Sequence, residues 1–207
     1  QPADLDHAEN ARERLTFDEA FLLQSLLVLR RIELKKLNST SRKATAGGLL
    51  DAFDNRLPFQ LTAGQIAVCK EIEADLAQPH PMHRLLQGEV GSGKTIVALR
   101  AMLAVVDSGG QAALLAPTEV LAAQHLRTIQ KLLGDLAQGG MLGGSEVATQ
   151  VTLITGSQNA AARKEALALA ASGDAGIVIG THALLGEKVA FKDLGLIDVD
   201  EQHRFGV

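Results

Sequence analysis

The chain contains no tryptophan and no tyrosine, and only six phenylalanines among 207 residues. That leaves little material for an aromatic platform on which nucleic-acid bases could stack. A single cysteine, Cys69, excludes an internal disulfide. Long hydrophobic runs are missing as well. The closest, Leu22 to Leu29, is much shorter than a membrane span of about 20 residues and is broken by Gln24 and Ser25, so a membrane role is not expected. Nor is positive charge in surplus: 20 Lys and Arg against 24 Asp and Glu give a net charge of −4, unlike the basic footprint of a self-sufficient nucleic-acid binder. The first residues, QPADLDHAEN, have neither the basic start nor the apolar run of a secretory signal, and a cytoplasmic setting is expected. The 46% hydrophobic content is enough to build a sizeable core, in one large domain or one domain with an appendage.

What is present is a glycine cluster in a telling place. Residues 87–95 read QGEVGSGKT, and the spacing Gly88-x-x-x-x-Gly93-Lys94-Thr95 fits a phosphate-cradling P-loop. In such a loop the backbone N–H groups, here including those of Gly91 and Ser92, wrap the phosphates. The lysine reaches the outer phosphates and the hydroxyl binds magnesium. The apolar pair Leu85-Leu86 before it reads as the end of a buried strand, and IVALRAMLAVV after it as an apolar helix. The loop therefore sits where a strand turns into a helix N-terminus, which favours bound phosphate. An ordinary glycine-rich turn is the plainer alternative.

The first 57 residues read as a helical linker segment. Thr16-Phe17-Asp18-Glu19 matches a capping box, so a helix is expected to start there and run to about Leu37. From Leu22 to Leu29 it is apolar almost all round, a pattern expected of an inter-domain helix covered on most sides. Its second half carries Arg30, Arg31, Lys35 and Lys36. The following NSTSRKATAGG, with Arg42 and Lys43, reads as a mobile connection; its charges and those of the helix read as a solvated face, with contact to a DNA backbone as the alternative. After Leu57-Pro58-Phe59, residues 58–207 alternate strands and helices, as in a parallel α/β sheet. Strands are expected at His83–Gln87, Ala112–Ala116, Val151–Ile154, Gly176–Ile179 and Leu194–Val199. Helices are expected at Thr62–Leu76, Lys94–Val106, Glu119–Leu133 and Asn159–Ala171, and residues 134–150 as a long surface loop.

A P-loop needs an acid for magnesium at the end of a neighbouring strand, and LGLIDVDEQH supplies Asp200, with Glu201 placed to orient or deprotonate the attacking water. Asp198 disagrees with this pattern, because a carboxylate inside a buried strand costs several kcal/mol if unpaired. Gln65, in Thr62-Ala63-Gly64-Gln65, either caps its helix or offers its amide to an adenine edge. The residues alone leave both readings open.

Taken together, LTAGQ, GEVGSGKT, APTEVLAAQH, GTHALL and DEQHRFGV resemble the ordered motifs of superfamily 2 helicases, and the last is similar to the RecG branch-migration helicases. The resemblance covers nearly the whole chain and implies a RecA-like P-loop domain that uses ATP and Mg2+. Lys94 and Thr95 would hold phosphate and metal within the loop Gly88, Gly91, Ser92 and Gly93. Asp200 and Glu201 would bind metal and activate water, and Gln65 would read adenine. Gln202 and His203 would couple nucleotide to DNA. Pro117, Thr118 and Glu119, Gly180, Thr181 and His182, and Thr155, Gly156 and Ser157 would touch the DNA backbone.

The implied function is the ATP-binding part of a helicase that remodels branched DNA in recombination and repair. The transcription-repair coupling factor Mfd is the rival, although it has Glu-Glu-Gln where this chain has Asp200-Glu201-Gln202 and usually phenylalanine at the position of Ser92. Two departures stand out. The family's second motor domain and wedge domain are absent from this sequence. Within the first domain, the sequence stops before the strand that lies between the P-loop and acidic-motif strands. A fragment of a longer polypeptide is therefore expected, poorly stable and without turnover by itself. The family also has an apolar residue where Asp198 stands.

Overall fold

The computed structural model describes residues 5–89, 91–140, 145 and 147–202, with side chains from residue 9 onward. The chain divides into two compact units, residues 1–40 with 79–83, and residues 41–78 with 84–207. None of the described helices is long and apolar enough to cross a membrane.

The first unit is built on α1, Leu5–Lys35. The helix begins well before Thr16, whose hydroxyl donates to the Arg12 carbonyl at 3.0 Å instead of capping a helix start. The physical reason is local. Residues 5–15 contain no glycine or proline and several strong helix formers, so the helix propagates through the capping-box sequence, and a mid-helix threonine satisfies its hydroxyl on the preceding turn. Arg14 and Asp18 add an i,i+4 pair at 3.1 Å, and Phe17 and Phe21 stack with ring centroids 6.0 Å apart. The apolar side chains of Leu22, Leu23, Leu26 and Leu27 are exposed.

The second unit holds a four-stranded parallel sheet in the order β2-β3-β1-β4. The strands are β1 (Gln111–Leu115), β2 (Gln150–Ile154), β3 (Ala175–Gly180) and β4 (Leu194–Val199). Four helices are α2 (Leu49–Arg56), α3 (Ala63–Leu76), α4 (Lys94–Asp107) and α5 (Glu119–Leu133), and α6 (Ala160–Ser172) completes the set. All four long helices and four of the five strands fall where the sequence pattern places them.

Both faces of β1 are buried. Ala112 and Leu114 join a core with Phe53, Leu99, Met102, Leu103, Ile129 and Leu133 from α2, α4 and α5, while Ala113 and Leu115 join Ala166 and Ala170 of α6 on the other face. A fully buried leucine such as Leu103 contributes enough that Leu103→Ala should cost about 2–5 kcal/mol. One polar side chain is locked into this interior. Gln111 is 2% exposed, donates to the carbonyls of Ala170 and Ala175 at 2.9 and 2.8 Å, and accepts from the amides of Lys192 and Asp193 at 2.8 and 3.2 Å. Its four bonds tie α6, β3 and the start of β4 to β1, which is how a buried amide avoids a desolvation penalty.

Three expectations are corrected. Residues 41–48 are not a mobile connection, and Arg42 is neither solvated nor offered to DNA. Its guanidinium grips Asp193 with two bonds of 2.8 and 2.6 Å, and the residue is only 5% exposed. It occupies a slot between Gly110 and Gly195, where an added Cβ would stand 2.7 and 2.9 Å from guanidinium nitrogens. Thr45 and α2 follow on, anchored to the end of α4: Asp107 accepts from the amides of Leu49 and Leu50 at 2.6 and 3.0 Å, and its carbonyl accepts from the Thr45 hydroxyl.

Next, His83–Gln87 is not a strand. Among the described residues it pairs with no strand, and Leu85 is 72% exposed: β4 is an edge strand whose outer side stays unpaired, and the segment does not dock on it. Finally, the loop after α5 is tied down in part. Gly134–Ala137 forms a 3₁₀ turn with Leu136 buried, and Gln138 bridges Gln150 antiparallel.

Two aspartates near and in β4 carry opposite pH signatures. Hydrogen bonding to Arg42 holds the Asp193 carboxyl below the usual carboxylate range, so its contribution is present above the unfolded pKa and is lost as acid titrates the folded form. Asp198 is half-buried. Burial, and then the charge of Asp200, raise its pKa, partly offset by His125. Its ionisation therefore opposes folding progressively as pH rises from the unfolded value through the folded one. Asp193→Asn should cost about 1 kcal/mol at pH 7 and almost nothing at pH 3. Asp198→Val should stabilise by about 1–3 kcal/mol at pH 7 and by less at pH 4. Urea unfolding at these pH values checks both, and a lower midpoint for Asp198→Val at pH 7 would contradict this assignment.

Candidate active site

The glycine loop enters α4 with two residues in the left-handed region, Gly91 at φ 82° and Gly93 at φ 84°. Only glycine takes that conformation at no cost. Within the loop the Ser92 amide donates to the Glu89 carbonyl at 3.1 Å. Gly93 is the residue before α4, and Lys94 and Thr95 form its first turn. Lys94 Nζ donates to the carbonyls of Gly88 and Glu89 at 2.8 and 3.0 Å, so the ammonium lies folded over the loop it is expected to serve. Gly88 and Ser92 are in contact range, since a Cβ on Gly88 would lie 2.6 Å from Ser92 Oγ.

Gln65 caps its helix, as one of its two readings expects. Thr62 Oγ1 accepts from the Gln65 amide at 3.2 Å while Gln65 Oε1 accepts from Thr62 N at 2.9 Å, a complete capping box. Gln65 Nε2 also donates to the Ser92 carbonyl at 2.9 Å and so ties α3 to the P-loop. One N–H and one lone pair of the amide carry these bonds, and a carboxamide has two of each. What remains is one donor and one acceptor, the complement of an adenine edge. Beside the following residue, Ile66, lies an open groove of about 600 Å3 lined by Leu57, Pro58, Phe59, Leu61, Ile66 and Arg100. Leu57, Pro58 and Phe59 were legible in the sequence only as a domain boundary; the exposed Phe59 beside a glutamine-capped helix is the signal that could have marked the groove.

Asp200 follows β4 directly, at its C-terminal end, where parallel α/β sheets bind ligands. Its amide donates to the Leu115 carbonyl at 2.9 Å, and its Oδ2 lies 2.8 Å from Nε2 of His125 on α5. His125 closes the motif APTEVLAAQH, but its pairing spans 75 positions and has no local signature. Glu201 is exposed and holds φ 51°, the only positive φ of a non-glycine among the described residues. Such backbone outliers gather at functional sites. Gln202 is exposed, and His203 lies outside the described residues.

The three remaining motifs end adjacent strands on the same edge of the sheet. Pro117, Thr118 and Glu119 follow β1; Thr155, Gly156 and Ser157 follow β2; Gly180 ends β3, with Thr181 and His182 after it. Thr155, Gly180 and Thr181 are buried and build the turns, whereas Thr118, Gly156, Ser157 and His182 are exposed. Thr118 caps α5 by accepting from Leu121 N at 3.3 Å. Glu119 accepts from both the hydroxyl and the amide of Ser157, the latter at 3.0 Å, and these bonds, with His182 nearby, hold its carboxyl below the usual range. Its charge is thus directed at the neighbouring loop, and it joins two of the three motifs.

For magnesium, the hydroxyl of Thr95 and the carboxylate of Asp200 are hard oxygen donors of the right kind. Among the described residues no cluster of three or more His, Cys, Asp or Glu forms a closed cage. Magnesium rarely uses one, since it is usually held by one or two carboxylates and the substrate's own phosphates.

Known proteins carry the same arrangement. The DEAD/DEAH box helicase model matches residues 62–207. The ATP-dependent DNA helicase RecG of Mycobacterium tuberculosis is 59% identical over 199 residues, 96% of this chain and 27% of that protein. RecG of Synechocystis is 45% identical over 206 residues, 100% of this chain and 24% of that protein. The solved structure of RecG bound to a three-way DNA junction is 38% identical with a TM-score of 0.81, covering 97% of this chain and 26% of that one. The chain spans about a quarter of the length of these relatives. Since the family match runs through the capped α3, the P-loop, the strand-end motifs and Asp200 in one order, the chain belongs to the DEAD/DEAH box helicase family.

Proposed function

We propose that this sequence is the ATP-binding part of an ATP-dependent DNA translocase that remodels branched DNA. The observation that carries the reading is the shared edge of the sheet. The P-loop helix start and Asp200 stand there with three strand-end loops whose exposed Thr118, Gly156, Ser157 and His182 suit phosphate oxygens once Ser157 turns from Glu119. Contacts of that type position a protein on the backbone without reading sequence, in keeping with recognition of branched structure. They also explain how an acidic chain with few aromatics serves nucleic acid: local donors take the place of net charge. Of the rival motors, the RecG relatives favour this one over an Mfd-type motor.

In this reading Gln65 and the groove beside Ile66 hold adenine, and the amides of Gly91, Ser92 and Gly93 with Lys94 hold the phosphates. Thr95 and Asp200 hold magnesium. The metal held there would supply charge neutralisation for the phosphates. Glu201 takes a proton from the attacking water as its oxygen bonds to the γ-phosphorus and the bridging bond to ADP breaks. Lys94 leaves its carbonyl partners for the phosphates, a short movement of a flexible side chain. For the isolated chain we propose nucleotide binding without appreciable turnover. Arginines from a second motor domain are worth about three to five orders of magnitude in such enzymes, and the exposed Leu85, Ile197 and Val199 mark where further structure would cover the sheet.

In the full-length protein, Lys94→Ala should lower junction-stimulated ATP turnover by about 10²–10³-fold. Glu201→Gln should lower it by at least about 10²-fold while leaving ADP affinity intact. Turnover that persists in both variants, or that a junction does not raise above the level with linear duplex, would sink the reading. A Ser157→Ala, His182→Ala pair should weaken junction binding to a similar degree for every DNA sequence tested, as measured by fluorescence anisotropy.

A further inference from the structure

Asp200 is one carboxylate in the turn directly after the edge strand β4, with two side-chain torsions to fix and a residue of positive φ immediately after it. Its backbone is held by Leu115, but that bond does not orient the carboxylate. The contact that does is His125 Nε2, 2.8 Å from Oδ2, with the histidine side chain 18% exposed and the aspartate 32%. His125 stands on the middle of α5, between the fully buried Ala122 and Ile129, so its ring is carried by a helix whose inner face cannot move without opening the core.

We infer that His125 is a positioning residue for the metal ligand: it holds Oδ2 of Asp200 by a hydrogen bond and thereby aims Oδ1 at the cation beside the P-loop. The inference rests on the reading of Asp200 as magnesium ligand. A carboxylate fixed through one oxygen presents the other in a single direction, and outer partners of this kind commonly change metal affinity by about 10–100-fold when removed. The same imidazole also faces Asp198, two residues earlier on the same side of β4. Where a second carboxylate stands so close, an unpinned Asp200 would swing away from it, so this chain has particular need of the histidine.

The test uses the full-length protein and Mn2+ as the probe. Binding of Mn2+ in the presence of ADP is measured by electron paramagnetic resonance, and ADP affinity is measured separately with and without metal. His125→Ala should weaken Mn2+ binding about 10–100-fold and abolish most of the metal-dependent gain in ADP affinity, while metal-free ADP affinity stays unchanged. His125→Gln, whose Nε2 reaches a similar point, should restore much of the loss. The magnesium concentration for half-maximal turnover should rise in parallel with the Mn2+ constant. Asp200→Asn separates the two levels of the argument. If it leaves Mn2+ binding intact, Asp200 is not the ligand and the underlying reading fails. If it abolishes binding while His125→Ala does not weaken it, or lowers only the melting temperature, His125 is structural and this inference is overturned.

Discussion

The parallel ladder between β1 and β4 is the constraint on which the candidate site depends. It runs from Gln111 beside Leu194 to Leu115 beside Val199 and ends with the Asp200 amide on the Leu115 carbonyl. A one-residue slip would turn every β4 side chain to the opposite face. Asp200 would then point away from α5 and the P-loop helix, and Ile197 and Val199 would exchange places with Leu196 and Asp198. Two devices fix the register at its start. Gln111 binds the amides of Lys192 and Asp193, and Arg42 clamps Asp193 from a slot that only two glycines leave open. Residues 41–48, remote in sequence from the acidic motif, therefore help decide where its strand begins.

Helix α5 joins the chemical and mechanical halves of the site. At its N-terminus Thr118 caps the helix and Glu119 grips Ser157, and two turns later His125 meets Asp200. A well-packed helix with one end at the loops proposed to contact the DNA backbone and its middle at the proposed metal ligand is a short physical connection between the two. The P-loop has its own connection through Gln65, whose amide spans the α3 cap and the Ser92 carbonyl. Nucleotide that engages the remaining donor and acceptor of Gln65 would bear on the loop that holds its phosphates.

Much of the sheet unit was legible because its signals are local. The apolar run of β3, the capping residues Thr62, Thr118 and Asn159, and the Gly88 to Thr95 spacing each act within a few residues. The failures have a different origin. Thr16 carried a correct capping pattern inside a helix that had already begun, so propagation overrode the local stop. His83–Gln87 had strand-like residues but docks on no strand, the outer side of β4 staying unpaired, and a strand is a property of two segments. Arg42 with Asp193 and His125 with Asp200 meet across 151 and 75 positions, distances over which no periodicity or spacing carries information. Asp198 was legible as an anomaly, and it remains the residue that the site accommodates least well.

The central claim is that the P-loop, the Gln65 cap and the C-terminal end of β4 act as one nucleotide site. Hydrogen–deuterium exchange of the full-length protein with and without magnesium ADP tests it most directly. The account predicts that residues 62–66, 88–95 and 199–202 gain protection together and with the same nucleotide dependence. Protection confined to residues 88–95, with the end of β4 unchanged at saturating nucleotide, would contradict it.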